Sequence, residues 1–348
     1  MIHALKAFVL LSCGMAAACS TTAPITGDPA VNVTARAETP PVGTAREDAA
    51  DDPAIWRNPA NPSASLIVGT DKKGGLYVYD LKGVQKSFLP VPGLNNVDLI
   101  DLPDGRVLVA ASDRSDLAQV QLFLALLDTR TGKLAPAGRI AVGQGEGYGI
   151  CMVKPAGTEG IIAFSAPKGG TIYRTVIMPG TDGGFTGTTT TLAQVQTQTE
   201  GCIADPRTGT LYIGEEDAGI WAIDMGSGAK RMVAAIDNKM LVADVEGLAI
   251  APEGANGGYL VASSQGDNAY AVFRLPDVTP VGRFRIAKGA LGSVEETDGI
   301  ELDNRSFGPD FPAGLFIAQD GINAPAAQNF KYARWDEVLA ALGVSPGN

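Results

Sequence analysis

Carboxylates, cations and hydroxyls must carry any chemistry this chain performs. Its single histidine is His3, so a Ser-His-Asp triad, a phosphohistidine and a histidine-bound zinc are excluded for the body of the chain. Acids recur instead. Asp52, Asp98, Glu200, Glu246 and Asp298 each open a short apolar segment, Tyr148 opens a sixth, and Asp51, Glu146 and Asp244 stand close by. Carboxylates gathered at one mouth repel and raise one another's pKa. Divalent cations held by oxygen relieve that repulsion, and several Ca²⁺ ions suit such a set best, because calcium accepts about six to eight oxygens in loose geometry. A second group is cationic: Asp71-Lys72-Lys73, Asp113-Arg114 and Pro167-Lys168. Lys and Arg suit phosphate oxygens.

The spacing of the acids identifies the elements that must position them. From Asp52 the markers follow at intervals of 46, 50, 52, 46 and 52 residues. A period near 50 holding several short strands predicts propeller blades. The fourth unit shows the interior: Glu200 to Asp205, a turn at Pro206-Arg207-Thr208-Gly209, then Thr210-Leu-Tyr-Ile-Gly and Ile220-Trp-Ala-Ile-Asp alternating as strands do. The predicted fold is all-β: a single six-bladed β-propeller of four-stranded antiparallel blades. The sixth blade lacks an outer strand, and the stretch from Val31 to Ala37 is expected to donate one, an N-terminal strand closing the last blade. After Trp335 a short helix is expected from the Asp start and apolar spacing.

In an antiparallel blade the start of the first strand and the end of the second lie on the same face. That places the acids beside Lys72, Arg114 and Lys168 in blades one to three, beside Glu215-Glu216-Asp217 in blade four, and beside Gln265 and Gln319-Asp320 in blades five and six. One side of the mouth is thus cationic and the other anionic, an arrangement in which bound cations bridge to phosphate charge.

Composition agrees with a β-rich chain. Glycine (43) and proline (22) are plentiful, charged residues make up 19%, and the net charge is −11. No basic stripe suits a nucleic-acid partner. Lys6, the apolar run Ala7 to Leu11 and the small residues up to Cys19 read as an export signal over residues 1–19. Ala16-Ala17-Ala18-Cys19-Ser20 has the form of a lipobox, with Cys19 as the lipidated residue and the membrane reached only through that anchor. Ala16 departs from its usual Leu or Val, which leaves ordinary cleavage open. The expected location is therefore outside a Gram-negative cytoplasm, as an outer-membrane lipoprotein or a periplasmic or secreted protein. Residues 20–44 read as a linker and closing strand, and 45–348 as the propeller. Cys151 and Cys202 are expected as two small buried residues on inner strands, although export would permit a disulfide.

The same segments resemble a known family. Asp51-Asp-Pro-Ala-Ile-Trp, Gly69-Thr-Asp-Lys-Lys-Gly-Gly-Leu-Tyr-Val-Tyr and Leu94-Asn-Asn-Val-Asp are similar to the opening signature of β-propeller phytases. Thr199-Glu-Gly, Leu211-Tyr-Ile-Gly-Glu-Glu-Asp, Asp244-Val-Glu-Gly-Leu, Ala262-Ser-Ser-Gln-Gly and Phe316-Ile-Ala-Gln-Asp-Gly continue the series in family order. The resemblance implies a monomeric, calcium-dependent 3-phytase whose substrate is phytate or its calcium complex. By carry-over, Lys72, Arg114 and Lys168 hold the phosphate to be cleaved, with Lys73 beside them and Gln265 supporting a neighbouring phosphate. Tyr148, Glu200, Glu216 and Glu246, aided by Asp51, Asp52, Asp98, Asp244, Asp298 and Asp320, hold calcium, and a calcium-bound water attacks phosphorus directly. Departures occur at Leu94, at Gly169-Gly170 and at Ile322, where the family pattern has Arg, an acid and an acid. Two other readings suit a propeller: a hydrolase of other esters or lactones, and a surface-binding module without catalysis. Neither gives a reason for three cations on one rim.

Overall fold

In the computed structural model the described residues are 24–344, apart from 46, 159 and 182. They form six sheets whose inner strands are Ala50–Trp56, Leu94–Asp101, Gly149–Val153, Thr199–Asp205, Val245–Glu253 and Ile300–Asp303. Each inner strand lies against the next and the sixth lies against the first, so the sheets close as blades around a central axis. Within every blade, successive strands of the chain pair antiparallel from the axis outward.

Second strands such as Leu66–Asp71 and Ile161–Ala166 are buried throughout, whereas the outermost strands Gln85–Pro90 and Phe185–Gln194 are mostly exposed or half-buried. The gradient follows from where the apolar surface goes. Each hydrophobic cluster lies between two neighbouring blades: Val68, Val78, Val97 and Phe123 join the first to the second, and Phe164 and Ile172 meet Leu211 and Ile213 between the third and fourth. Ile67, Tyr77 and Tyr79 of blade one pack on Ile317, Phe330 and Tyr332 of blade six and close the ring. Burial of a side chain of this size is worth about 1.5–3 kcal/mol, so each interface stabilises both blades that form it.

The N-terminal segment does two jobs where one was expected. Ala37–Glu38 pairs antiparallel with Asn329–Arg334 and supplies the fourth strand of the last blade. Val31–Thr34 instead pairs parallel with Thr279–Ala287 and adds a fifth strand to blade five. The C-terminal helix, Trp335–Ala341, buries Trp335, Val338 and Leu339 in the cluster between blades five and six. Among the described residues no helix is long and apolar enough to cross a membrane. The export signal and Cys19 lie outside the described residues.

Cys151 and Cys202, expected as unpaired core residues, form a disulfide with their Cα atoms 5.4 Å apart. They lie on the inner strands of blades three and four, which run side by side. Cys151 stands three residues after the marker Tyr148 and Cys202 two after Glu200. That offset of one concealed their adjacency.

Candidate active site

The mouth is built on a local irregularity of the inner strands. Against the second strand, pairing jumps from Ala50 to Pro53, from Leu94 to Val97, from Thr199 to Cys202 and from Val245 to Leu248. Each jump is a β-bulge, which frees its residues from the ladder and re-aims their side chains. The freed pairs are Asp51-Asp52, Asn95-Asn96, Glu200-Gly201 and Glu246-Gly247, and Tyr148-Gly149 and Asp298-Gly299 occupy the same places in blades three and six. The glycines mark a close approach between blades. A Cβ on Gly149 would stand 1.9 Å from the Glu200 carbonyl oxygen, one on Gly201 2.2 Å from that of Glu246, and one on Gly299 2.6 Å from that of Asp51. Only glycine admits the neighbouring backbone there.

The ring at the mouth is therefore Asp51, Asn95, Tyr148, Glu200, Glu246 and Asp298. Asp52 and Asp98, expected in this ring, sit deeper in the channel, one residue beyond Asp51 and three beyond Asn95. The Asp52 carboxylate accepts from the Val97 amide at 3.0 Å, and that of Asp98 from the amides of Met152 at 2.5 Å and Leu99 at 2.6 Å. Together with Glu301 they line a narrow cavity in the central channel. Burial pushes all three carboxyls up, Asp98 to about 7, with Asp51 adding to the shift of Asp52 and Asp98 to that of Glu301.

Lys72 lies inside the ring, 8% exposed. Its Nζ stands 2.8 Å from Asp51 Oδ1, 3.2 Å from Asp298 Oδ2 and 3.0 Å from Asp48 Oδ2. Burial disfavours the charged amine, but Asp51, Asp298, Glu200 and Asp48 outweigh it and hold the ammonium well above its usual range. Gln265 Nε2 donates to Asp298 Oδ1 at 2.7 Å, and burial pushes that carboxyl up to about 7 despite the attraction of Lys72. Arg114 donates from Nη1 to Asn95 Oδ1 at 2.6 Å, and its Nη2 lies 2.7 Å from Glu146 Oε1. The guanidinium of Arg114 and the ammonium of Lys168 both lie over the Tyr148 ring, 5.4 and 5.2 Å from its centre. Aromatic faces attract cations, so a single ring holds two of the three rim cations.

Beside them is an acidic centre. Glu200, Glu216 and Glu246, all buried, each offer a carboxylate oxygen within 4.8 Å of the other two. Burial pushes all three carboxyls up, Glu216 to about 7; mutual repulsion and the nearby Asp51, Asp298 and Asp244 add to it. Glu216 Oε1 and Glu246 Oε2 are buried without a hydrogen-bond partner. Orphaned carboxylate oxygens in a cluster without His or Cys fit a hard, oxygen-bound cation, and the centre can hold a metal ion. The Tyr148 phenol lies in the field of Glu200, Lys72, Asp51 and Glu216, and burial, the largest influence, raises its pKa.

The remaining sequence-predicted residues are more dispersed. Asp244 borders the centre through Glu216, and burial and the nearby Asp217 raise its carboxyl. Lys73 is exposed. Asp320 is buried against the Lys331 ammonium and accepts from the Glu295 amide at 3.1 Å. Sequence reasoning missed Asn95, Asp48 and Glu301. The Gly after Tyr148, Glu200, Glu246 and Asp298 was the available signal, since aligning on it places Asp51 and Asn95 in the ring instead of Asp52 and Asp98.

A family model described as Phytase matches residues 1–347. A protein of Bacillus subtilis (strain 168) named 3-phytase is 38% identical over 333 residues, covering 90% of this chain and 86% of that protein.

Proposed function

The chain belongs to the phytase family, and from that premise we propose that it is a 3-phytase, a phosphoric monoester hydrolase that releases phosphate from myo-inositol hexakisphosphate with calcium as cofactor. The observation that carries this is the meeting of two opposite charge sets at one mouth: Lys72, Arg114 and Lys168 beside the buried triad Glu200, Glu216 and Glu246. Cations of this kind bind phosphate oxygens, and the triad provides for a divalent ion.

Glu200, Glu216 and Glu246 would hold calcium, with Tyr148, Asp51, Asp298 and Asp244 around them and with Asp52 and Asp98 beneath. When bound, such an ion would neutralise the acids and supply the Lewis acidity that readies water for direct attack on phosphorus. The chain's own residues do the rest. Arg114 and Lys168, held on Tyr148, and Lys72, inside the ring of acids, grip the scissile phosphate and offset charge as it develops on the transferring group. Gln265 would meet an adjacent phosphate. No side chain in the mouth is a histidine, which fits direct displacement by water. The Cys151–Cys202 disulfide supports an oxidising compartment and hence export.

Two substrates separate this function from that of another propeller hydrolase. The purified chain should release phosphate from phytate and leave a lactone such as dihydrocoumarin intact. Glu200→Gln should lower phosphate release by about a hundredfold or more while the chain stays folded. Lactone turnover without phosphate release would point to the other class.

A further inference from the structure

Blade two breaks the chemistry of the ring. Where blades one, four, five and six present a carboxylate and blade three a phenol, it presents the amide of Asn95, which is completely buried. That amide touches both halves of the site. Its Nδ2 donates to Asp51 Oδ2 at 2.9 Å and to Glu200 Oε1 at 3.2 Å, and its Oδ1 accepts from Arg114 Nη1 at 2.6 Å.

Only a side chain with a donor and an acceptor at its tip can make this set of contacts. An aspartate there would accept from Arg114 but have no hydrogen to give, and it would place a further negative charge against Asp51 and Glu200. A leucine of similar size would leave both acids and the guanidinium without their partner. The amide supplies both kinds of bond. Arg114 is thus held at three points: Asn95 on Nη1, Glu146 on Nη2 and the Tyr148 ring beneath its carbon. A guanidinium carries five N–H donors in a planar fork, so fixing its plane sets the direction of the donors that remain. Preset donors spare the ordering cost that a mobile arginine would meet on binding.

We infer that Asn95 is a positioning residue for polyanion binding, setting Arg114 by an amide bridge from the acids Asp51 and Glu200. The inference rests on the proposed role of Arg114 in holding phosphate. It goes beyond that role, because it makes the effect of Asn95 conditional on Arg114.

A double-mutant cycle tests that condition. Binding of myo-inositol hexasulfate, a polyanion of phytate's shape that a phosphatase does not cleave, is measured by calorimetry at fixed calcium. The proteins are wild type, Asn95→Leu, Arg114→Ala and the double variant, each checked by its melting curve. Asn95→Leu should weaken binding about tenfold, as expected for a charge-assisted hydrogen bond, and raise KM for phytate more than it lowers kcat. In the Arg114→Ala background the same substitution should change binding less than about twofold. If Asn95→Leu does not fold, Asn95→Ser takes its place in the same cycle, being too short to reach Arg114. Equal losses in both backgrounds would overturn the inference, as would Asn95 variants that bind as the wild type does. If the wild type neither binds hexasulfate nor cleaves phytate, the proposed function falls and takes the role of Asn95 with it. A wild type that binds and cleaves, with additive variants, removes the role of Asn95 alone.

Discussion

Tyr148 shows how one side chain can serve two charge sets. Its ring supports Arg114 and Lys168, and its phenol oxygen lies in the field of Glu200, Lys72, Asp51 and Glu216. Substitution can separate the two roles. Tyr148→Phe keeps the ring, so KM for phytate should stay within about twofold, while loss of the oxygen should lower kcat about 10- to 100-fold. Tyr148→Leu removes both, and KM should rise about tenfold as well, the order expected for losing two cation–ring contacts. Steady-state kinetics on the two variants decide the matter. Equal KM values for Phe and Leu would show that the ring does not set the cations. The residue scale was only partly legible in sequence. Charged residues announce themselves, so Lys72, Arg114, Lys168 and the glutamates were found. Asn95 is neutral and common in turns, and nothing in its type signals that it bridges an arginine to two acids.

At the scale of elements, the bulge governs the site. Inserting one extra residue near the start of an inner strand turns its side chain out of the ladder and towards the mouth. A strand otherwise alternates with a period of two, and a single shifted residue is invisible in a run as apolar as Ala-Ile-Trp or Leu-Ala-Ile. Strands were therefore legible in the fourth, fifth and sixth blades, yet the register at the mouth was not, and Asp52 and Asp98 were placed too near the rim. The unequal offsets of Cys151 from Tyr148 and of Cys202 from Glu200 hid that pair, which ties two neighbouring inner strands below the acids. Closing a loop of 51 residues lowers the entropy of the unfolded chain, and removing the bridge should cost about 2–4 kcal/mol. Denaturant unfolding of the Cys151→Ala, Cys202→Ala double variant should show that loss, with phosphate release at 25 °C within about twofold of wild type. An unchanged unfolding midpoint would mean that the bridge adds nothing to the packing between blades three and four.

The whole molecule is a ring held by six interfaces between blades, with a hub of like charges. The outer interfaces follow from the period of the sequence, and so does closure by the N-terminal segment, although its division between blades five and six does not. The hub makes stability depend on pH when no cation is present. Burial pushes Glu216 and Asp298 up to about 7, and Glu200 and Glu246 well above their ordinary values. Each of these groups holds its proton longer in the folded chain than in the unfolded one. Stability is then greatest below the unfolded carboxylate range and is lost as pH rises through the folded values. Acids with lowered values, such as Asp113 and Asp267, are ionised in both states above about pH 5 and add no slope there. A chain stripped of cations should therefore melt at a lower temperature at about pH 8 than at about pH 5, and saturating calcium should remove the fall, because the ion takes the place of the protons. A stripped chain that melts no lower at the higher pH would count against the buried like-charge hub.

The most direct test concerns the hub and the cations together. Phosphate release from phytate is followed for the purified chain with calcium supplied, then with excess EGTA, then with calcium restored. Release that stops with the chelator and returns with the ion is expected. Undiminished release in EGTA, by a chain from which calcium is shown to be absent, would contradict a calcium-dependent phytase.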